Sequence, residues 1–305
     1  MGPRVRVGIT GASGLIGTAL TQFLRERGDV VTPFVRPNST PSPFATVSWD
    51  PARGYLDLEQ LRALGPWDAV IHLAGAGIGA RRWSASYKNE ILRSRVSSTS
   101  LLMHTLATLD PLPFVVSASA IGFYGSRGDD VLTEAEPAGD DILAEVCVAW
   151  EEAASSYQQA GGGLAIARTG IVLDRRGGAL ARQLPLFRWG LGGRLGSGNQ
   201  WFSPISLSDE VRALTWLLDQ RTSTTANLVC PEPIRNRDFT RVLASMVKRP
   251  AAFTAPASLL RLALGREMAE SLLLSSQRVV PSTLEQSGFT FECRDATSIL
   301  ARALT

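Results

Sequence analysis

Between residues 5 and 17 the chain reads Val-Arg-Val-Gly-Ile-Thr-Gly-Ala-Ser-Gly-Leu-Ile-Gly, a β-branched run that breaks into glycines at positions 11, 14 and 17. A strand over Val5–Thr10 and a helix near Ile16–Arg27 place this GxxGxxG segment in a strand-to-helix turn. Gly11 permits the tight turn, Gly14 lets the backbone approach a pyrophosphate, and Gly17 lets the helix pack closely on the strand, with the helix N-terminus facing the anion. A glycine pattern alone is a weak signal. Here the strand before it, the helix after it and a second strand, Val30–Val35, supply the structural context that phosphate binding requires. Gly11, Ala12, Ser13, Gly14, Leu15, Ile16 and Gly17 are therefore the candidate phosphate-binding residues.

The same alternation continues with a strand over Ala69–Ala74, a helix near Ser84–Leu109, a strand over Phe114–Ser119, a helix near Leu143–Ala160 and a strand over Leu164–Thr169. Strand and helix in turn predict an α/β fold with a Rossmann-like, doubly wound parallel sheet. The near-continuous apolar run from Ala69 to Ala74 suits a strand covered on both faces. After about Gly177 the grammar changes. A glycine-rich stretch over Gly190–Gly198 precedes helical patterns near Ser208–Asp219, Asn236–Met246 and Ala257–Leu274, and a strand over Ala226–Val229. At 305 residues the chain is long for a single core. The expected division is a nucleotide-binding domain over 1–175 and a smaller C-terminal α/β substrate region over 176–305, with the strand near 226–229 returning to the main sheet.

Composition narrows the function classes. Apolar residues make up 45% and charged residues 19%, an ordinary globular mixture. A net charge of +3, with no block of like charges, gives no basic surface for nucleic acid or membrane. Cys147, Cys230 and Cys293 are far apart and odd in number, which fits neither a disulfide framework nor a zinc site. No apolar run is long enough for a membrane span, and the first strand begins too early to leave room for a signal peptide. A soluble, cytoplasmic protein is expected, with no metal and a small molecule as its partner.

At the end of the second strand an NAD-specific site usually carries a carboxylate for the adenosine 2′-hydroxyl. This chain has Arg36 there, and a guanidinium pairs with a 2′-phosphate. Arg36 therefore points to NADP(H), the alternative being a solvated surface arginine. Thr10-Gly-x-x-Gly-x-x-Gly17 followed by Leu73-Ala74-Gly75 resembles the extended short-chain dehydrogenase/reductases. Arg81-Arg82-Trp83, Ser94-Arg95, Ser117 to Gly125, Trp150-Glu151, Cys230 to Phe239 and Gln277 to Pro281 are similar to their atypical "epimerase family protein" branch, and the likeness covers nearly the whole chain. The resemblance implies NADP(H) held by the glycine loop, by Arg36, by Leu73, Ala74 and Gly75, and by Arg95, where other members carry an asparagine. A surface helix arginine is the alternative for Arg95.

The resemblance also exposes a gap. Ordinary members use a serine or threonine with a YxxxK pair, whose lysine lowers the tyrosine pKa for proton transfer. Aligning on Trp150-Glu151 puts Leu143 at the tyrosine position and Cys147 at the lysine position, so the standard pair is missing. Ser119 and Tyr124 are the remaining catalytic candidates, Tyr124 being alternatively a packing residue. Lys88, Gln200, Trp201 and Phe202 are the candidate substrate contacts, with surface solvation (Lys88) or lobe packing (Trp201, Phe202) as the alternatives. His72 and His104 form no metal constellation, and both read as packing residues. Two functions follow: an NADP(H)-dependent oxidoreductase or epimerase-like enzyme, or a non-catalytic NADP(H)-binding regulator or scaffold. The missing pair motivates the second, as does the description of some plant and cyanobacterial relatives as cell-division factors.

Overall fold

A computed structural model describes residues 4–37, 39 and 42–305. Along the chain run β1 (Arg6–Thr10), α1 (Leu15–Arg27), β2 (Val30–Val35), β3 (Val47–Asp50), β4 (Tyr55–Leu56), α2 (Leu58–Ala63), β5 (Ala69–His72), α3 (Ala85–Leu106), β6 (Phe114–Ala120), β7 (Val131–Leu132), α4 (Ile142–Gln159) and β8 (Leu164–Thr169). Then come β9 (Ile171–Asp174), α5 (Gly178–Arg188), β10 (Gly193–Leu195), β11 (Trp201–Phe202), β12 (Pro204–Ser206), α6 (Leu207–Gln220), β13 (Thr224–Leu228), β14 (Ile234–Arg235), α7 (Asn236–Met246), β15 (Phe253–Ala255), α8 (Ala257–Leu264), α9 (Arg266–Ala269), β16 (Arg278–Val279), α10 (Ser282–Gln286) and α11 (Ala296–Leu304).

The main sheet has the order β13-β8-β6-β5-β1-β2-β3-β4. All its pairings are parallel except β3 with β4 at the edge. The order reverses beside β1, and in open α/β sheets such a reversal opens a crevice at the carboxyl ends of the strands. Alternate strand residues feed opposite faces. Ile9, Ile71 and Val116 pack with Leu20 and Leu24 of α1 and Leu214 and Leu218 of α6. Val70, Val115 and Ile166 pack on the other face with Leu102 and Leu106 of α3 and Tyr157 of α4. Each fully buried leucine contributes about 1.5–3 kcal/mol relative to exposure, so these two layers hold the sheet. No helix among the described residues is long and apolar enough to cross a membrane.

Three of the differences from the sequence expectation have a local cause. β5 stops at His72 rather than Ala74, where the Leu73 amide is shared between the Thr10 carbonyl and hydroxyl and the Ala74 amide turns to that hydroxyl. The helical pattern over Ala257–Leu274 is broken at Gly265, whose φ of 87° ends α8 and starts α9, followed by a π-helical turn over Glu270–Leu274. His104 is exposed rather than packed, since it lies on the outer face of α3 while Leu102 and Met103 face inward.

Candidate functional site

The glycine loop is shaped by backbone contacts. Gly11 has φ 69°, a left-handed conformation, and a Cβ there would sit 2.9 Å from the Leu73 carbonyl. A Cβ on Gly17 would lie 2.2 Å from the Gly11 oxygen, a distance no side chain can adopt. Gly14 differs: it is the N-cap of α1, has no side-chain cap, is exposed, and its added Cβ would meet only the Gly11 oxygen, at 3.4 Å. The first amides of α1 are thus presented to a cleft with no side chain in front of them, the arrangement that receives a phosphate.

A buried hydrogen-bond chain holds the facing segment. The Thr10 hydroxyl accepts from the Leu73 and Ala74 amides at 3.1 and 3.3 Å and therefore donates to His72 Nδ1, 2.7 Å away. His72 Nε2 then carries the proton and donates to Thr99 Oγ1 at 2.9 Å. Burial without a charged partner holds the imidazole neutral, with its pKa pushed down to about 3. This neutral histidine ties β1, β5 and α3 together and fixes where Leu73, Ala74 and Gly75 lie.

A cleft of about 760 Å³ runs from Gly11, Gly14 and Gly17 to a far wall of Leu143, Cys147 and Phe202, with the segment from Leu264 to Ser275 along one side. Leu143 and Cys147, one helical turn apart on α4, both line it. Burial pushes the Cys147 thiol up to about 12, and Glu151 pushes in the same direction. It is therefore neutral and cannot act as a base near pH 7.

Behind this wall lies a buried polar network. Ser119 Oγ donates to Glu151 Oε1 at 2.6 Å. Arg168 pairs with both Glu151 oxygens at 2.9 and 2.8 Å, and donates to the Tyr124 hydroxyl at 3.0 Å. Tyr124 in turn donates to Asn227 Oδ1 at 2.7 Å. The Arg168 guanidinium also stacks on Phe123, 3.4 Å from the ring centroid. Ser119 is one residue from Ala120, which lines the cleft, whereas Tyr124 is completely buried and off its wall. Both hydroxyls are committed to partners inside the protein.

The remaining sequence candidates fall into two groups. Gln200, Trp201 and Phe202 line the cleft. Gln200 is anchored through its amide to the carbonyls of Leu195 and Leu273, and Phe202 packs on Phe239 with centroids 4.9 Å apart. Arg95 also lines it, half-buried, its guanidinium 4.9 Å from the Trp150 ring centroid and against Gly75. Lys88 lies off the wall, where its ammonium pairs with Glu267 of α9 at 2.7 Å. Arg36 is exposed just past β2 and makes no ion pair among the described residues. Arg168 and Asn227 carry the polar network without having been singled out, Glu151 was noted only as part of a motif, and Arg182 and the Leu264–Ser275 side of the cleft were missed too.

Two family descriptions match the chain: "NAD dependent epimerase/dehydratase family" over residues 7–147, and a domain of unknown function, DUF1731, over residues 255–303. Epimerase family protein Mb2239 of Mycobacterium bovis is 41% identical over 300 residues, which span 98% of this chain and 97% of that one. The chain belongs to the NAD dependent epimerase/dehydratase family. The human epimerase family protein SDR39U1 (isoform 2), solved with NADPH, superposes on this family member with a TM-score of 0.87 at 31% identity, covering 98% of this chain and 99% of that one. A nucleoside-diphosphate sugar epimerase from Corynebacterium glutamicum gives a TM-score of 0.80 at 35% identity, covering 99% of this chain and 58% of that one. The DUF1731 match includes the Leu264–Ser275 side of the cleft, so both family regions meet at the site.

Proposed function

We propose that this chain is an NADP(H)-dependent oxidoreductase or epimerase-like enzyme acting on a small molecule at the far end of the cleft. One observation carries the reading: a single cleft joins the bare amides of the glycine loop to a wall of side chains from α4 and the C-terminal half. At Gly14 an added Cβ would meet only the Gly11 oxygen, at 3.4 Å, which leaves the N-terminus of α1 open to a dinucleotide's pyrophosphate. The human relative solved with NADPH supports the choice of nucleotide. Here Gly11 to Gly17 receive the pyrophosphate, Arg36 the 2′-phosphate, and Leu73, Ala74, Gly75 and Arg95 the nicotinamide half. The bound nucleotide supplies a hydride. Buried, reduced thiols at Cys147, Cys230 and Cys293 accord with a cytoplasmic location.

The protein's own part is proton handling and exclusion of water. Ser119, linked to the Glu151–Arg168 pair and adjacent to the lining Ala120, is the group we assign to a substrate oxygen. Tyr124 has its hydroxyl enclosed by Arg168 and Asn227, and we assign it to positioning: it holds Arg168, and through it Glu151 and Ser119. Leu143 and the neutral Cys147 at the wall favour a second reading, a non-catalytic NADP(H)-binding regulator or scaffold, because neither can replace a tyrosine–lysine pair.

Loss of reduced-nicotinamide absorbance against a broad carbonyl panel separates the two: turnover supports the enzyme, and binding without turnover supports the scaffold. With a substrate in hand, Ser119→Ala is expected to lower kcat by about 10²–10⁴-fold with NADPH affinity intact. Tyr124→Phe should lower kcat less, and Cys147→Ala should leave it unchanged. Full activity in Ser119→Ala removes that assignment.

A further inference from the structure

We infer that the chain docks on anionic phospholipid bilayers through one face of its C-terminal half, made of the end of α5, the β10–β15 pair and α8. Such docking suits the enzyme and the scaffold alike. Six of the ten large apolar side chains exposed among the described residues lie in these elements: Leu186, Trp189, Leu191, Phe253, Leu259 and Leu262. Each is more than half exposed, Trp189 at 81% and Leu262 at 75%. Single apolar residues are normal on a surface, whereas a concentration of them marks a contact.

The fold makes this face from two segments that are distant in sequence. β10 and β15 pair in parallel, with Gly193 opposite Phe253. Arg249 Nε donates to the Arg188 carbonyl at 3.1 Å, which ties the end of α5 to the chain entering β15. α8 then follows β15 directly, its Ala257 close to Gly196 just past β10. Ser258 and Arg261 are the only polar residues of α8, yet none of its eight residues is buried. Leu264 at its end lines the cleft, while Leu259 and Leu262 face outward. A helix apolar on all sides is normally covered on all sides.

Charge selects what covers it. Residues 178–200 and 239–266 hold seven arginines and a lysine, all exposed, and no aspartate or glutamate. The whole chain nets +3 and these cations are spaced among apolar residues, so no basic block shows in the sequence. Two are paired, Arg241 with Asp238 and Arg261 with Glu270, and the other six make no ion pair among the described residues. Leucine and tryptophan enter the boundary between acyl chains and headgroups while arginine and lysine meet the lipid phosphates. A second copy seated here would set six unpaired cations against six. A nucleic acid would satisfy the cations and leave the leucines in water.

Co-sedimentation of the full chain with vesicles of phosphatidylcholine alone, or with about 30% phosphatidylglycerol added, tests this at low and at physiological salt. The anionic vesicles should bind at least about tenfold more tightly, and salt should weaken that binding. Trp189→Gln with Leu262→Gln removes two outward apolar groups, and Arg188→Gln with Lys248→Gln removes two of the unpaired cations. Each pair should lower binding to anionic vesicles about tenfold or more, with melting temperature and NADPH affinity unchanged. Equal binding to both vesicle types, or none to the anionic ones, overturns the inference without any variant. Full binding by the Trp189→Gln, Leu262→Gln chain also overturns it, since another surface would then be in use. In a chain that leaves vesicles alone, self-association abolished by these substitutions would assign the face to a second copy, and RNA retention abolished by them to nucleic acid. Absence of NADPH binding in the wild-type chain would remove the cofactor reading and leave the vesicle result standing.

Discussion

At the nucleotide end of the cleft the wall is backbone, with Gly11, Gly14 and Gly17 at spacings set by contacts of the main chain with itself. At the opposite end it is side chain, and its shape depends on a buried network running from Ser119 through Glu151, Arg168 and Tyr124 to Asn227. At Gly11 and Gly17 the first end admits no side chain because there is no room for its atoms, whereas Gly14 is left open. The second depends on every partner being present, because a buried polar network left half satisfied is worse than none. One fold therefore keeps a fixed nucleotide cradle beside a reacting end whose chemistry can be changed by swapping side chains, as the leucine and cysteine at 143 and 147 illustrate.

If the reacting end depends on its buried pair, Arg168→Met should be the most damaging change there. Arg168 and Glu151 have side chains only 7% and 14% exposed, and removing the cation leaves an uncompensated carboxylate. A loss of about 3–5 kcal/mol is expected in denaturant unfolding. A loss below about 1 kcal/mol would mean that packing, not the pair, shapes this end.

The junction between the two ends has a pH signature. Glu210 on α6 is fully buried, accepts from Thr169 of the cleft wall at 2.8 Å, and has its second oxygen unpartnered. Burial pushes its pKa from 4.5 up to about 8. A carboxyl with a raised folded pKa contributes stability fully present below about 4.5 and lost as pH rises toward 8, at up to about 1.4 kcal/mol per pH unit. His72 works in the opposite sense: its stability is fully present above about 6.5 and lost as pH falls toward 3. The stability of Glu210→Gln relative to wild type should therefore climb between pH 5 and 8. A difference independent of pH would show that Glu210 ionises freely.

The smallest effect is expected outside the cleft. Lys88 and Glu267 have side chains 27% and 59% exposed, so Lys88→Ala should cost about 0–1 kcal/mol and leave NADPH affinity unchanged. A larger change in turnover than in stability would return Lys88 to the substrate side.

Much of the sheet was legible in the sequence because its strands are buried on both faces and read as apolar runs. Val30–Val35 and Leu164–Thr169 form over those same residues. β3 and the edge strand β4 are four and two residues long, too short to stand out from loop. α5 was missed because Pro185 lies inside it, and the pattern across 257–274 looked continuous because Gly265 interrupts a run of apolar residues without changing its character. The polar network was out of reach for another reason: Tyr124 and Asn227 are 103 positions apart, and no local pattern announces such a pair.

Calorimetry of NADPH and NADH binding to wild type, Gly14→Asp and Arg36→Glu tests the central claim most directly. A Cβ at Gly14 meets nothing closer than 3.4 Å, so Gly14→Asp should fold with an unchanged melting temperature and lose both nucleotides, because its carboxylate stands where the pyrophosphate approaches. Arg36→Glu should lose about tenfold or more in NADPH affinity and little for NADH, since a charged hydrogen bond to the 2′-phosphate is worth roughly 1.5–3 kcal/mol. Retained affinity for both nucleotides in folded Gly14→Asp would contradict the account, because the glycine loop would then not be the cradle.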